Sequence, residues 1–521
     1  MNNKETTKEF VDAFMRDVPR GVRTRLLREQ SLPQARWADP AHILVSKTLA
    51  YDPANPGNKI LLGALGDQLI GFEDNRHILT VAGSRAGKSV TAIANALFYP
   101  NSMLASDPKA ELANITARAR MELGQRVLIL DPLQICADRL SHLRASFNFM
   151  VGLKIESPTI IEDSDQIAEA MVTSVSQKDP HWDESAKNII AGIILDTATS
   201  LSYKGKRNLV TVRARLNAAL RCEDLNPDDE EDNRVVFILE EEMRENAYRL
   251  KRSQRTYDIG CAIEAASRDF FDKSYKERDS VLSTARRHTR FLDYAGIRSV
   301  CQDHDFDLAD LKREKITVYL CVPASQMGAY ARWLRLFYSQ LLTAMERVTQ
   351  APQEEVLALL DELPIYGPMK ALEDAVGQIA SFGVKLWFIC QDWGQGKTLY
   401  KERWESFAAN AGIMQFFGNT DIATLEYLSR KLGKTTVPVT REAETSAEQA
   451  QNALSGRSSD LHLHDLLSPH EIALLCARDN PARKQILLPA GRLPILAQRI
   501  EYFDEDSPLH HYFAGRYDPP R

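Results

Sequence analysis

A short glycine loop between an apolar run and a helical pattern constrains this chain more than any other feature. Residues 77–81 read HILTV, and the loop AGSRAGKS that follows leads into VTAIANAL. The loop fits the phosphate-binding pattern, with Gly87, Lys88 and Ser89 in place and Ala82 where the strict pattern has its first glycine. A strand before such a loop and a helix after it favour a nucleotide site over a plain strand-to-helix turn.

The loop suits a triphosphate because its backbone N–H groups can turn toward one centre and the next helix adds its positive N-terminal end. We predict that Lys88 reaches the β- and γ-phosphates of ATP and that the Ser89 hydroxyl binds Mg²⁺. The predicted nucleotide-binding residues are Gly83, Ser84, Arg85, Ala86, Gly87, Lys88, Ser89 and Val90.

Two later apolar runs end in polar residues that complete such a site. VLALLDEL ends in Asp361, predicted to hold Mg²⁺ through water, and Glu362, predicted to act as general base on the attacking water. The alternative role for this pair is a helix N-cap. GVKLWFICQD carries Gln391, whose amide would sense the γ-phosphate if its strand lay between the loop strand and the Asp-Glu strand. The alternative role for Gln391 is a cap at the sheet edge.

The order of predicted elements indicates a parallel sheet interrupted by helices. After the loop helix come a strand ending at Asp107, a helix from Glu111 and the strand RVLILD ending at Asp131. From about residue 160 the apolar period becomes helical, apart from a strand predicted in VVFIL at Val235 and an acidic loop over residues 228–232. The sheet resumes with ITVYLCVP.

The long separation between the phosphate loop and Asp361 favours a motor over a small kinase or a switch GTPase. The predicted fold class is α/β, a RecA-like P-loop NTPase with a parallel central sheet and an inserted all-α domain. We predict an N-terminal region 1–60 without a transmembrane helix, a motor domain formed by 61–159 and 300–500, an inserted all-α substrate-recognition domain 160–299, and a C-terminal tail 501–521.

Charge and cysteine content narrow the class of protein. With 65 Lys and Arg against 71 Asp and Glu, the chain is not a generally basic nucleic-acid coat, so any DNA contact must be local. Seven scattered cysteines without CxxC spacing are typical of a reducing cytoplasm. The first thirty residues carry charges throughout, and we expect neither a signal peptide nor a transmembrane helix.

Eight segments, in order along the chain, carry a resemblance to a known family. They are HILTVAGSRAGKS, ASDPKAEL, VLILDP, DPHWDESAKNIIAGIIL, SVLSTARRHTRFLD, FDLADLKREKITVYLCVP, LLDELPIYGPMKALEDAVGQIASFGVKLWFICQD and WESFAANAGIMQFFGNTD. Together they resemble the TraG-like coupling proteins of bacterial type IV secretion and conjugation systems. The resemblance covers about Gln34 to the C-terminus.

The resemblance implies a homo-hexameric, FtsK-like ATPase that passes relaxase-bound single-stranded DNA or protein substrates to a membrane channel. Its expected partners are relaxosome proteins and type IV secretion channel components. By match to the family motifs, Lys88, Ser89, Asp361 and Glu362 would be the ATPase residues. The chain departs from the family in lacking N-terminal transmembrane helices, so we expect a cytoplasmic protein whose peripheral attachment to the inner membrane would come through a partner.

A second departure lies in DPKAEL, where Ala110 stands at a position that is commonly glycine in the family. Asp107 of this segment has two open roles, a helix start after a strand and a role near the nucleotide.

Three functions remain open at this stage. The first is an ATP-driven pump for conjugative transfer, the second a soluble DNA translocase in defence or mobile-element maintenance, and the third a nucleotide-binding docking receptor without turnover. The intact Asp361-Glu362 pair argues against the receptor, which has no use for a base.

Local basic clusters supply two further hypotheses. Arg286, Arg287, His288 and Arg290 could contact DNA, with Phe291 as a stacking surface and Lys251, Arg252 and Arg255 upstream; a solvated helix face and a core position for Phe291 are the alternatives. Arg403 and Arg430 could reach the γ-phosphate bound by a neighbouring subunit, although surface solvation is the commoner role of such arginines.

Overall fold

The computed structural model describes residues 34–172, 180–220, 237–349, 355–442 and 457–520. Its strands are β1 (Ile60–Leu65), β2 (Gln68–Phe72), β3 (His77–Ala82), β4 (Met103–Asp107), β5 (Arg126–Leu130), β6 (Ile316–Cys321), β7 (Val356–Leu360), β8 (Val384–Cys390), β9 (Ala411–Phe417), β10 (Lys434–Glu442), β11 (Arg457–Asp465), β12 (Lys484–Pro489) and β13 (Ile495–Gln498).

The α-helices of the same residues are α1 (Pro40–Val45), α2 (Lys88–Ala96), α3 (Glu111–Glu122), α4 (Ile160–Met171), α5 (Pro180–Thr199), α6 (Leu209–Asn217), α7 (Ile238–Lys251), α8 (Tyr257–Phe271), α9 (Tyr275–Thr289), α10 (Ala295–Cys301), α11 (Asp310–Arg313), α12 (Met327–Arg347), α13 (Lys370–Ala375), α14 (Trp393–Tyr400), α15 (Trp404–Ala409), α16 (Ile422–Leu432), α17 (Pro469–Leu475) and α18 (His510–Phe513). Short 3-10 helices span Asp138–Leu143, Gln254–Thr256, Arg290–Asp293, Leu363–Tyr366, Ile379–Phe382 and Lys401–Arg403.

Eleven strands form one sheet in the order β2-β1-β13-β12-β9-β3-β8-β7-β4-β6-β5. Neighbouring strands from β9 to β5 are parallel, whereas β2, β1, β13 and β12 pair antiparallel and extend the sheet beyond β9. Strands β3, β6, β7 and β8 are buried along their whole length, as expected of parallel strands covered on both faces. The predicted parallel central sheet is confirmed, and β8 lies between β3 and β7.

Alternate residues of β3 pack into two different cores, one on each face of the sheet. Leu79 and Val81 face the core that contains α12 and the helices after residue 160. Ile78 faces the core that contains α2 and α3. The carboxyl ends of β3, β8, β7 and β4 therefore open onto one edge between two helical layers, where ligands of such sheets bind.

The helical segment after residue 160 is held together by a buried polar network as well as by apolar packing. Arg215 of α6 donates to Asp196 of α5 at 2.6 Å and to Glu242 of α7 at 3.0 Å. Asn246 donates to the second oxygen of Asp196 at 2.7 Å. These contacts tie three helices together, and the assignment of residues 160–299 as a separate domain remains a prediction.

The strand predicted in VVFIL is wrong at its last two residues. Ile238 and Leu239 form the first turn of α7, and Leu239 is buried in the helical core. Apolar runs of this length do not distinguish a strand from a buried helix start. Val235, Val236 and the acidic run 228–232 lie outside the described residues.

Residues 501–520, predicted as a tail, pack against α3 and the segment that follows α2. Phe513 is fully buried and its ring meets that of Phe98 edge-on, with centroids 5.3 Å apart. Arg118 of α3 forms an ion pair with Asp518 at 2.9 Å. Within the described ranges, we find no helix with the length and apolar character needed to cross a bilayer.

Candidate nucleotide site

The phosphate loop connects the buried strand β3 to the N-terminus of α2. Its backbone takes left-handed values at Arg85 (φ 58°) and Gly87 (φ 100°), which turn the chain tightly ahead of Lys88. Ala82 belongs to extended strand backbone, so this position does not need the glycine of the strict pattern. A Cβ on Gly83 would lie 1.9 Å from the carbonyl oxygen of Gly418, so the loop can approach the turn after β9 only because Gly83 has no side chain.

Lys88 and Glu362 come together as the sequence predicts. The Nζ atom of Lys88 donates to the carbonyl oxygen of Ala82 at 3.2 Å and lies 3.9 Å from Oε2 of Glu362. Both side chains are largely enclosed, with exposed fractions of 12% and 18%. A cation and a carboxylate are therefore held at the carboxyl ends of β3 and β7, where a triphosphate would approach the loop.

Gln391 emerges from the end of β8, between these two groups. Its Nε2 atom donates to Oε1 of Glu362 at 2.7 Å, and its carbonyl oxygen accepts from Asn419 Nδ2 at 3.3 Å. Glu362 has a left-handed backbone (φ 59°), a conformation that costs a non-glycine residue free energy and is common at functional sites. The central position of β8 excludes the sheet-edge role for Gln391.

Asp361 is fixed by its backbone, and its carboxylate remains available. Its N–H donates to Ser106 Oγ at 2.9 Å, and its carbonyl oxygen accepts from the Tyr366 hydroxyl at 3.1 Å. Its Oδ1 atom is shielded from solvent and has no hydrogen-bond partner among the described residues. Burial and the adjacent Glu362 carboxylate raise the pKa of Asp361 to about 6. A shielded oxygen without a partner fits a magnesium ion bound directly or through water.

Residues 28–515 match the model of the family described as Type IV secretory system Conjugative DNA transfer. The chain belongs to that family.

Relatives in this family extend beyond the matched region. The chain is 25% identical to the type IV secretion system-coupling protein VirD4 of Bartonella quintana over 484 residues. This alignment covers 90% of this chain and 70% of that protein. It is 27% identical to Protein VirD4 of Rhizobium radiobacter (82% and 57% covered) and to conjugal transfer protein TraG of Escherichia coli (76% and 61%). The chain thus spans between 57% and 70% of the length of these relatives.

Solved structures share the fold. The conjugative coupling protein TrwB, in a crystal form with sulphate, superposes with a TM-score of 0.61 at 14% identity, over 91% of this chain and 96% of that chain. TrwB in complex with ADP and Mg²⁺ gives a TM-score of 0.56 at 15% identity, over 82% and 85%. The RecA-like fold expected for this conjugative transfer protein is therefore confirmed.

The segment around Ala110 keeps its turn despite the departure from the family pattern. Ala110 is buried with φ 56°, a left-handed value that explains a preference for glycine there. Asp107 accepts the N–H of Ala113 at 2.8 Å and that of Lys109 at 3.4 Å, and these bonds start α3. Burial, with a contribution from the Asp361 charge, raises the pKa of Asp107 to about 7. These contacts support the helix-start role.

Arg499 is a site residue that the sequence did not reveal. It follows β13, and its Nη1 donates to the carbonyl oxygen of Ala86 inside the phosphate loop at 2.7 Å. Its Nη2 donates to the carbonyl oxygens of Ala477 at 3.3 Å and Arg478 at 3.1 Å, and the guanidinium lies 5.6 Å from the ring centroid of Phe417. No motif surrounds LAQRI, so only the sheet topology could identify this contact.

The two arginines considered for action on a neighbouring subunit lie in different surroundings. Arg403 pairs with Glu373 at 3.2 Å and Asp374 at 3.4 Å. Arg430 is 81% exposed, with a long ion pair to Glu426 at 3.7 Å. Arg430 is therefore less constrained by ion pairs than Arg403.

The predicted DNA cluster on α9 is largely occupied by contacts within the protein. Arg286 donates to the carbonyl oxygen of Asn217 at 2.8 Å, and Arg287 pairs with Asp183 at 3.3 Å. His288 is buried, and Phe291, only 2% exposed, takes the core position. Upstream, Lys251 pairs with Glu264, whereas Arg252 and Arg255 are exposed.

Proposed function

We propose that this chain is the ATP-hydrolysing motor of a type IV secretion coupling protein that drives conjugative transfer of DNA. One observation carries the proposal: Lys88, Glu362 and Gln391 converge at the ends of three adjacent strands, beside a phosphate loop, in a chain of the conjugative transfer family.

Each residue has a role set by its place. Loop N–H groups over Gly83–Val90 and the N-terminus of α2 would hold the phosphates, and Lys88 would exchange its contacts with Ala82 and Glu362 for the β- and γ-phosphates. Ser89 and Asp361 would hold Mg²⁺, which neutralises phosphate charge when bound. Glu362 would accept the proton of the attacking water, and Gln391 would orient that carboxylate through its 2.7 Å hydrogen bond.

The proposed substrate is single-stranded DNA with a bound relaxase, delivered by relaxosome proteins to the secretion channel. We propose a homo-hexameric ring, because motors of this build place the nucleotide between subunits and an arginine from the neighbour, with Arg430 the freer candidate, can complete the site. Membership in the conjugative transfer family favours this function over a translocase in defence. The Glu362–Gln391 pair supports turnover over nucleotide-dependent docking alone.

ATPase assays with and without single-stranded DNA test this function. We expect turnover that DNA increases and specific activity that rises with protein concentration, since a lone subunit lacks the neighbouring arginine, worth about 10³–10⁵ in rate in well-studied cases. Activity that stays flat while the protein sediments as an active monomer would contradict the ring. A protein that binds ATP without hydrolysing it under any of these conditions would be a docking receptor.

A further inference from the structure

Two segments on the inserted helices concentrate positive charge. Residues 200–207 read SLSYKGKR, with three basic residues, and residues 248–257 read YRLKRSQRTY, with four; neither contains an acidic residue. We call these two segments together the basic surface. On a chain whose formal net charge is −6, this local excess is the opposite of the overall balance.

The first segment begins beside the second. Thr199, the last residue of α5, accepts from Arg249 at its carbonyl oxygen (2.9 Å) and from Asn246 at its hydroxyl (3.0 Å). Farther along, the Tyr203 hydroxyl donates to Glu242 of α7 at 2.9 Å. Residues 199–203 therefore lie against α7, and Arg252, which follows this helix, is ten residues from Glu242, about 15 Å along the helix axis.

The turn between α7 and α8 is tightly built. A Cβ on Gly260 would lie 2.7 Å from the carbonyl oxygen of Ala247, so the two helices touch at their backbones. The Thr256 hydroxyl donates to the carbonyl oxygen of Leu250 at 2.6 Å, and Lys251 pairs with Glu264 across the two helices. Residues 248–257 are thus presented on a fixed frame, which lowers the entropy cost of binding.

Several charged and aromatic side chains of the basic surface face solvent. Lys204, Lys206, Arg252 and Arg255 are exposed, and in the part of the chain that the structure describes none of them forms an ion pair. Tyr248 is 70% exposed and Tyr257 50% exposed, one on each side of the two arginines. The nearest acidic residues along the chain, Glu245 and Asp258, lie outside the basic surface.

We propose that the basic surface binds single-stranded nucleic acid, with Arg252 and Arg255 on the phosphates and Tyr248 and Tyr257 stacked on bases. Cations attract any polyanion, but exposed aromatic rings on either side of them favour unpaired bases over an acidic protein segment. This inference rests on the proposed function, because it names the place where that function's substrate is held.

The test measures fluorescence anisotropy of a labelled oligothymidylate with the full chain, without nucleotide, over a series of salt concentrations. The variant is Arg252→Glu with Arg255→Glu. The matched control is Arg244→Glu with Arg268→Glu, two exposed arginines of the same helices that pair with Glu241 and Glu264. We expect the variant to lose at least tenfold in affinity and its salt slope to fall by about 1.4, since each single-strand phosphate contact contributes about 0.7.

A second pair of variants isolates the rings. Tyr248→Ala with Tyr257→Ala should weaken binding by about fivefold or more, whereas the same positions changed to Phe should retain the affinity, because stacking needs only the aromatic face. Thermal unfolding of every variant verifies that the change lies in binding and not in folding.

Three outcomes would overturn the proposal. Equal affinity and salt slope in the arginine variant and its control remove the basic surface as the DNA site while leaving the proposed function intact. Polyglutamate is a second probe for the same proteins. If the arginine variant loses binding to polyglutamate while its affinity for oligothymidylate is unchanged, the surface binds an acidic protein. A wild-type chain with neither oligothymidylate binding nor ATPase activity overturns this inference and the proposed function together.

Discussion

Charged side chains are largely enclosed at the nucleotide site and exposed on the basic surface. At the site, Lys88 and Gln391 lie 3.9 Å and 2.7 Å from the Glu362 carboxylate, and the side chains of Lys88 and Glu362 are largely enclosed. On the basic surface, Arg252 and Arg255 face solvent with no ion pair in the described residues. Shielded charges interact strongly with a few atoms, whereas exposed charges act at longer range and are screened by salt. We therefore expect changes at the site to alter chemistry at any ionic strength, and changes on the surface to alter affinity mainly at low salt.

The largest effect should come from Lys88 and Glu362, in two distinguishable ways. Lys88→Ala should lose ATP affinity and turnover together, whereas Glu362→Gln should bind ATP and lose turnover by about 10²–10⁴-fold, the range for a general base. Equilibrium ATP binding and kcat measured in parallel separate the two. Glu405→Gln, on α15, is the control. Turnover like that of the wild type in Glu362→Gln would remove Glu362 as the base.

A smaller effect is expected when the loop loses its contact with Arg499. Arg499→Ala leaves the Ala86 carbonyl without its donor, so KM for ATP should rise about five- to tenfold with a smaller change in kcat, which corresponds to about 1–1.4 kcal/mol. Arg492→Ala is a matched control, because Arg492 also lies 5.6 Å from a phenylalanine ring but away from the loop. Recovery in Arg499→Lys to the wild-type KM would show that charge alone, without the forked contacts, is sufficient.

Arg286 should behave as a structural residue, in contrast to Arg252 and Arg255. Arg286→Ala removes a hydrogen bond to the Asn217 carbonyl, and we expect the free energy of unfolding to fall by about 1–2 kcal/mol while DNA affinity of the folded protein stays constant. Chemical denaturation measures the free energy of unfolding, and fluorescence anisotropy on the same samples measures the DNA affinity. A loss of DNA affinity with unchanged stability would return α9 to the DNA-contact hypothesis.

The contact between α9 and α12 should respond to pH through His288. Burial lowers its pKa from 6.5, opposed by its 2.9 Å contact with Asp183 and reinforced by Arg332 of α12 and Arg287. The unfolded chain then takes up a proton near pH 6.5 that the folded protein takes up only at lower pH, so stability should fall as the pH drops through 6.5. We expect this fall to be shallower in His288→Gln, measured by denaturation at pH 5.5 and 7.5. Parallel curves for both proteins would exclude His288 as a source of the effect.

The smallest effect concerns the strained backbone at Ala110. Ala110→Gly should stabilise the protein by about 0.5–1 kcal/mol, because φ is 56° there and glycine adopts this value without cost. Thermal unfolding measures the shift. A lower melting temperature in the glycine variant would show that methyl packing outweighs backbone strain.

The sequence predicted the parallel sheet and the loop after β3 well because their signals are local. The loop 82–89 is contiguous, and the apolar runs before Asp361 and Gln391 are long enough to read as buried parallel strands. Because neighbouring strands of such a sheet are parallel, their carboxyl ends lie at one edge, so residues far apart in the chain could be assigned to one site.

The inserted helices were harder to interpret for a physical reason. Arginines in a helical pattern look alike in sequence, whether they bind a carbonyl as Arg286 does or face solvent as Arg252 does. The role of such an arginine depends on its hydrogen-bond partner. For Arg286 and Arg499 this partner lies in another element, 69 and 413 residues away respectively. The misassigned VVFIL segment shows the same limit, since the burial of Leu239 on a helix is a tertiary property.

The contact between Gly83 and Gly418 has an evolutionary consequence. A side chain on Gly83 would collide with backbone of the second glycine, and one on Gly418 would collide with Ala86 at 2.4 Å. Because a backbone atom cannot be trimmed by mutation, no second-site change can relieve the first collision. Gly83 should therefore not vary, and a saturation library selected for transfer should leave it without a single accepted replacement, alanine included.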